Sequence, residues 1–256
     1  MRKSLLALGA LLAASGVATA QDQGLFGKSR NVERAGFMIA VNGGVDFPGA
    51  DMAKRFGTSY RIGPALLYKT KSNWIFGVKG DFIFGNTIKG DSLMWNLRES
   101  SGRFYNYNGE RVSIGISERG YAVGLQAGKI FPFSSGLSEQ GFLILTGVGF
   151  VQHKIGIVNK NAEVPQLSKG ARKGYDRLTN GVYVEQFAGY NYFGKGGLLN
   201  FHIGLNVMAG FTQGRRDWQY DLMRPGNDKR LDLLFGIRGG LYIPLFKKKA
   251  DEVFFE

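Results

Sequence analysis

From residue 36 onward, apolar and small or polar residues alternate with a period of two along most of the chain. In the first run Phe37, Ile39 and Val41 alternate with Met38, Ala40 and Asn42. In the second, Tyr60, Ile62, Pro64, Leu66 and Tyr68 oppose Ser59, Arg61, Gly63 and Lys69. In the third, Trp74, Phe76, Val78, Phe82 and Phe84 oppose Ile75, Gly77, Lys79, Asp81 and Ile83. Further runs of this kind cover 120–128, 178–193, 199–211 and 231–243. A run over 141–153 is apolar on both faces, so its alternation does not tell the two apart. Period two is the signature of extended chain, in which successive side chains point to opposite sides. The runs predict eight strands of roughly 10–15 residues, longer than the usual ~5–6 and long enough to cross a bilayer at a tilt.

The two faces differ in kind. One is bulky, apolar and aromatic; the other is Gly, Asn, Gln and isolated charges. A soluble barrel turns its apolar face inward, whereas a lipid-exposed barrel turns it outward around a tight polar interior. The connections sharpen the choice. Those at 69–73, 132–140 and 194–197 are short, and those at 46–57, 85–115, 154–177 and 214–230 are long, in strict alternation. Outer-membrane barrels have short periplasmic turns and long outer loops, and an even strand number puts both termini in the periplasm. The pattern predicts an all-β fold, a single eight-stranded antiparallel transmembrane β-barrel of the outer membrane. A ten-stranded version stays open, because Asn108-Gly109 in the second long loop is a strong hairpin signal. Tyr60, Tyr68, Trp74, Phe84, Tyr121, Tyr190 and Tyr192 lie near run ends and read as interfacial girdles.

Residues 1–20 carry Arg2 and Lys3, an apolar stretch and Ala18-Thr19-Ala20, the pattern of a cleaved signal peptide. The expected organisation is a signal peptide at 1–20, a periplasmic segment at 21–34, the barrel at 35–246 and a periplasmic tail at 247–256. The 39 glycines, about twice the usual share, fit crowded backbones inside a narrow barrel. The absence of cysteine excludes disulfide scaffolds, Cys-ligated zinc and thiol catalysis. The net charge of +13 falls to +11 without Arg2 and Lys3. In an exported chain that excess is best matched by outer-membrane lipid and lipopolysaccharide, with no nucleic acid.

Lys79, Asp81, Glu118, Glu185, Asp232 and Arg238 fall on the inward face, as does His202. Charges in a narrow lumen must be paired. This set therefore reads as a salt-bridged plug, with a gated polar path as the alternative. His153 reads as a rim residue beside Lys154. Neither histidine has a nucleophile and acid at triad spacing, no metal or cofactor site is recognisable, and no enzyme is expected. Among the loops, Trp95, Phe104, Tyr105 and Tyr107 either face a partner or pack on one another, and Arg172, Lys173, Arg215 and Arg216 mark the two basic loops.

The opening strand at 36–45, the Gly-rich alternating strands, the closing 231–246 segment and two motifs resemble the small outer-membrane barrels of the Bacteroidota, the PorT-like group. The motifs are Lys173-Gly174-Tyr175-Asp176-Arg177-Leu178-Thr179-Asn180-Gly181 and Gly210-Phe211-Thr212-Gln213-Gly214-Arg215-Arg216. Some members act in type IX secretion and gliding, so the resemblance implies an accessory subunit there and carries over no catalytic residue. The sequence reading is thus a structural or docking protein with a protein partner in a membrane complex. A narrow pore or small-ligand transporter and a lipid-modifying enzyme are the alternatives. The closing aromatic signal is either Phe246 or Phe254-Phe255.

Overall fold

The computed structural model describes residues 35–90, 93–99, 101–133, 139–159, 164–168, 170–194 and 199–245. The expected signal peptide, the 21–34 segment, the 247–256 tail and the choice of closing signal lie outside these residues. The strands are β1 (Gly36–Gly49), β2 (Ser59–Lys69), β3 (Trp74–Gly85), β4 (Phe104–Tyr105), β5 (Arg111–Val112), β6 (Gly115–Pro132), β7 (Gly141–Val158), β8 (Thr179–Phe193), β9 (Asn200–Gly214), β10 (Arg216–Gln219), β11 (Arg224–Gly226) and β12 (Lys229–Pro244). A one-turn helix, α1 (Ala50–Ala53), follows β1.

Eight strands close into an antiparallel ring in the order β1-β2-β3-β6-β7-β8-β9-β12, and β12 returns to β1. Neighbours in space are neighbours along the chain, apart from the two small hairpins set aside from the ring. The Asn108-Gly109 turn does form a hairpin, β4–β5, with Gly109 at φ +76. That hairpin is a sheet of its own, which settles the count at eight. A second small sheet, β10–β11, occupies the last long connection.

The bulky face is outside. Leu125 and Leu205 are 61% and 66% exposed, whereas Met38 and Ile75 on the other face are fully buried. The run at 141–153 resolves with its odd positions inward, from Leu143 to Val151 and His153. Its ambiguity has a physical cause: the lumen beside it is itself lined with apolar packing. Of the girdle residues, Tyr60, Tyr68, Trp74 and Tyr121 are exposed on the outer face. Tyr192 departs from expectation. It is buried, stacked on Phe201 and close to Gly194.

Small residues inside have a definite use. Gly124 pairs with Gly149 across β6 and β7, and the Tyr183 ring lies over the pair. A Cβ on Gly124 would sit 2.4 Å from both the Tyr183 hydroxyl and the Val148 carbonyl oxygen. A large side chain buried in the lumen therefore occupies the space two missing side chains leave.

Candidate functional site

The lumen is filled in three layers. Near the short turns, Met38, Leu67, Ile75, Ile130, Phe193 and Tyr242 pack together. Below them Lys69 reaches Glu139 at 3.0 Å, both buried. Near the long connections a second apolar layer joins Ile83, Val151, Tyr183 and Leu234 of the barrel to Met52, Phe56 and Leu93 of the connections.

Between these layers lies a charge-balanced group of three cations and three carboxylates. Arg61 donates from Nε and Nη2 to Asp46 at 2.6 and 2.8 Å, and from Nη1 to Glu185 at 2.7 Å. Lys79 pairs with Glu185 and lies 3.2 Å from Asp81. Arg238 grips Asp81 with both Nη atoms at 3.0 and 2.5 Å. Strands far apart in the chain are thereby tied across the lumen. Lone charges here would be strongly destabilising, so the groups hold together as a unit. The cavity alongside, lined by Lys79, Glu185, His202 and Arg238 together with Leu67 and Tyr242, measures about 20 Å³. That is room for about one water, far from a continuous path.

Lys79, Asp81, Glu185 and Arg238 lie together in this ion group, whereas Glu118, Asp232 and His202 make no ion pair with it. Glu118 sits nearer the long connections and accepts from Ser59 Oγ at 2.6 Å. Asp232 accepts from Thr212 Oγ1 at 2.5 Å and lies 2.9 Å from His153 Nε2. His202 packs its ring against Phe187 and Tyr242. His153 is a correction: it faces inward, 1% exposed, with Phe56 edge-on to its ring. A rim position fails because its parity on β7 is that of Val151 and Ile155, both buried. Thr212 and His153 each contact Asp232 and make no bond to each other, so no activated hydroxyl arises from the trio. Asp46 and Arg61 were missing from the expected set. Asp46 stood at an apparent loop start, yet β1 continues to Gly49; Arg61 shares the inward parity of its strand.

The long connections interlock into a cap, and the two quoted motifs build it. They lie side by side, Thr179 opposite Gly214 and Gly181 opposite Thr212. Asp176 accepts from Arg216 Nε and Nη2 at 2.7 and 2.5 Å, which holds the guanidinium above its ordinary pKa. Arg215 Nε donates to Asn180 at 2.6 Å. Arg177, at φ +48, donates to Asp221 at 2.6 Å. Gly174 leaves room for the Tyr220 ring, and Tyr175 packs edge-on against that ring. Asp221 also takes Trp95 Nε1 through its carbonyl at 2.8 Å, which binds the second connection to the fourth. From the first, Arg55 donates to Thr179 Oγ1 at 3.0 Å.

The aromatic loop residues divide. Phe104 is buried in the cap beneath Arg98, so its expected availability to a partner is corrected. Its ring is needed to close the apolar layer over the lumen. Tyr105 is half-buried, whereas Trp95 and Tyr107 are exposed, Tyr107 to 83%. Arg172 donates to the Ile157 carbonyl at 3.1 Å and Lys173 is exposed. Among the described residues, no group of three or more His, Asp or Glu side chains is placed to hold a metal ion.

No protein-family model matches the chain, and no curated protein does. Solved structures of similar shape include Neisserial surface protein A, at 9% identity and TM-score 0.41, covering 83% of this chain and 99% of that one. Another is Ail, the attachment invasion locus protein of Yersinia pestis, in complex with the heparin analogue sucrose octasulfate. It shows 14% identity and a TM-score of 0.39, with 80% and 96% covered. The N-terminal β-barrel domain of Pseudomonas aeruginosa OprF gives 9% and 0.35, with 82% and 99% covered. At such identities the likeness is one of barrel shape.

Proposed function

We propose that the chain is a non-enzymatic outer-membrane protein that docks a protein partner through its capped end. The observation that carries this reading is a lumen closed in three layers beneath an ordered cap, which leaves the cap surface as the place where recognition can occur. An outer face of exposed Phe, Leu, Ile and Val suits acyl chains, since a water-soluble barrel would not present so continuous an apolar belt. By the pattern of outer-membrane barrels, the long connections face outward and both termini face the periplasm. The buried ion group speaks against the narrow pore, because conduction would require breaking it. A lipid-modifying role is disfavoured too, because both histidines sit inside the barrel, out of reach of lipid.

The partner is a subunit of a membrane complex. The resemblance of 173–181 and 210–216 to PorT-like barrels supports an accessory role in a Bacteroidota secretion or gliding apparatus. The test is photo-crosslinking in native membranes from Tyr107 and Trp95, two exposed aromatics of the cap. A discrete crosslinked species from both positions, absent from the belt position Leu205, is expected. Recovery of the lone barrel from every position would overturn docking.

A further inference from the structure

We propose that the outward face at the foot of the third long connection binds a phosphate group of an outer-leaflet glycolipid headgroup. The inference rests on the outer-membrane reading and names the ligand of one site on that surface.

Arg119 of β6 lies directly opposite Lys154 of β7, and both point outward. Like charges directly opposite in a sheet repel, so this pairing is unfavourable unless an anion lies between them. Among the described residues neither side chain has a carboxylate within ion-pair distance. Arg119 is held in place by its own surroundings: Nη1 donates to the Glu118 carbonyl at 2.7 Å, and its stem lies over Gly156. Ser117 shares the parity of Arg119 on β6 and lines the same cavity, although it is buried. The turn at Ala171–Gly174 supplies a wall with Arg172 and Lys173. Arg172 is anchored through Nη1 on the Ile157 carbonyl, and its buried Nε has no hydrogen-bond partner. The far wall is Asp176 with Arg216. That carboxylate is already engaged by two guanidinium nitrogens, so it leaves the other four cations uncompensated. Together these residues line a cavity of about 380 Å³, the size of a small-ligand site.

Its height selects the source of the anion. Tyr121 is the nearest outward ring on β6, in contact with Phe150 at 6.3 Å. Arg119 and Lys154 stand one outward position beyond the Tyr121–Gln152 pair, or about 7 Å along strands that rise ~3.4 Å per residue. Rings of this kind sit at headgroup depth, so the cations meet the phosphates of the leaflet surface. Guanidinium groups bind phosphate in two-pronged fashion, and a lysine adds a point charge.

The test uses the full mature chain folded in maltoside micelles, with native mass spectrometry and titrations of bisphosphorylated lipid A, dephosphorylated lipid A and inorganic phosphate. One retained lipid A is expected, with the dephosphorylated form at least about tenfold weaker and inorganic phosphate about a hundredfold weaker. R119S/K154S should weaken lipid A at least about tenfold, and added salt should weaken it further. K129S removes an outward lysine near the opposite rim, beside Trp74, and should change nothing. Equal binding of both lipids, unchanged binding by R119S/K154S, or an equal loss in K129S would overturn the site. Inorganic phosphate as tight as lipid A would overturn the glycolipid as source. A gel-mobility shift on heating reports the folded barrel separately. Its absence in the unaltered protein would refute the outer-membrane reading, while a heat-shifted protein that ignores the phosphates would refute this site alone.

Discussion

Replacing Arg61 with Met tests the ion group where it is most exposed to failure. The guanidinium makes three hydrogen bonds to two carboxylates, and all the side chains involved are 5% exposed or less. Three cations face three carboxylates in the intact ion group, so the variant leaves that group with one net negative charge. Glu185 keeps Lys79 and Arg238, but Asp46 loses the arginine that binds both of its oxygens. Removing one partner of a buried pair costs about 3–5 kcal/mol, mostly as the penalty of the charge left behind. With a urea dependence of about 2 kcal/mol per molar, the unfolding midpoint should fall by about 2 M. Tryptophan fluorescence in detergent micelles follows the transition, and heat-shifted gel mobility checks the fold. Adding Asp46→Asn removes the orphaned charge and should restore at least half of the loss. A midpoint within about 0.5 M of the unaltered protein would refute the reasoning. A double variant no better than the single one would show that packing, not charge, was lost.

Gly124→Val should abolish the folded, heat-shifted species, because the added carbon meets a backbone oxygen that cannot move aside; normal folding would contradict the Tyr183 packing. Asp176→Asn should loosen the cap without weakening the barrel. Limited proteolysis within 159–178 and 215–228 should speed up several-fold, while the urea midpoint stays within about 0.5 M of the original. Arg238→Ala should remain silent in planar bilayers, since the apolar layers on either side still close the lumen. Discrete current steps would revive the pore.

Much of this architecture is legible in the sequence because a barrel wall is two-sided. Phe37 to Val41 and Trp74 to Phe84 show their facing directly, and the alternation of connection lengths orders the strands. The lumen is less legible, for a physical reason. Its bonds join residues remote in the chain: Arg61 and Glu185 are separated by 124 positions, and no local pattern encodes that meeting. Parity could have found Arg61, which shares the inward set with Ser59 and Gly63. Asp46 was hidden by β1 running on to Gly49 past Pro48. His153 misled because β6 and β7 extend beyond the expected strand ends, carrying an apparent rim residue into the interior. The motifs at 173–181 and 210–216 stood out as patterns, but only their side-by-side pairing explains them, as the lock of the cap.

The central claim is that the apolar outer face contacts lipid while the cap stands in water. The chain has three tryptophans: Trp74 on the outer face, Trp95 and Trp218 in the cap. Single-tryptophan variants, with the other two changed to Phe, can be folded into vesicles of acyl-brominated lipid. Bromine quenches indole fluorescence at contact range. The account predicts strong quenching of Trp74 and none of Trp95 or Trp218. Equal quenching at all three positions, or an unquenched Trp74, would contradict it.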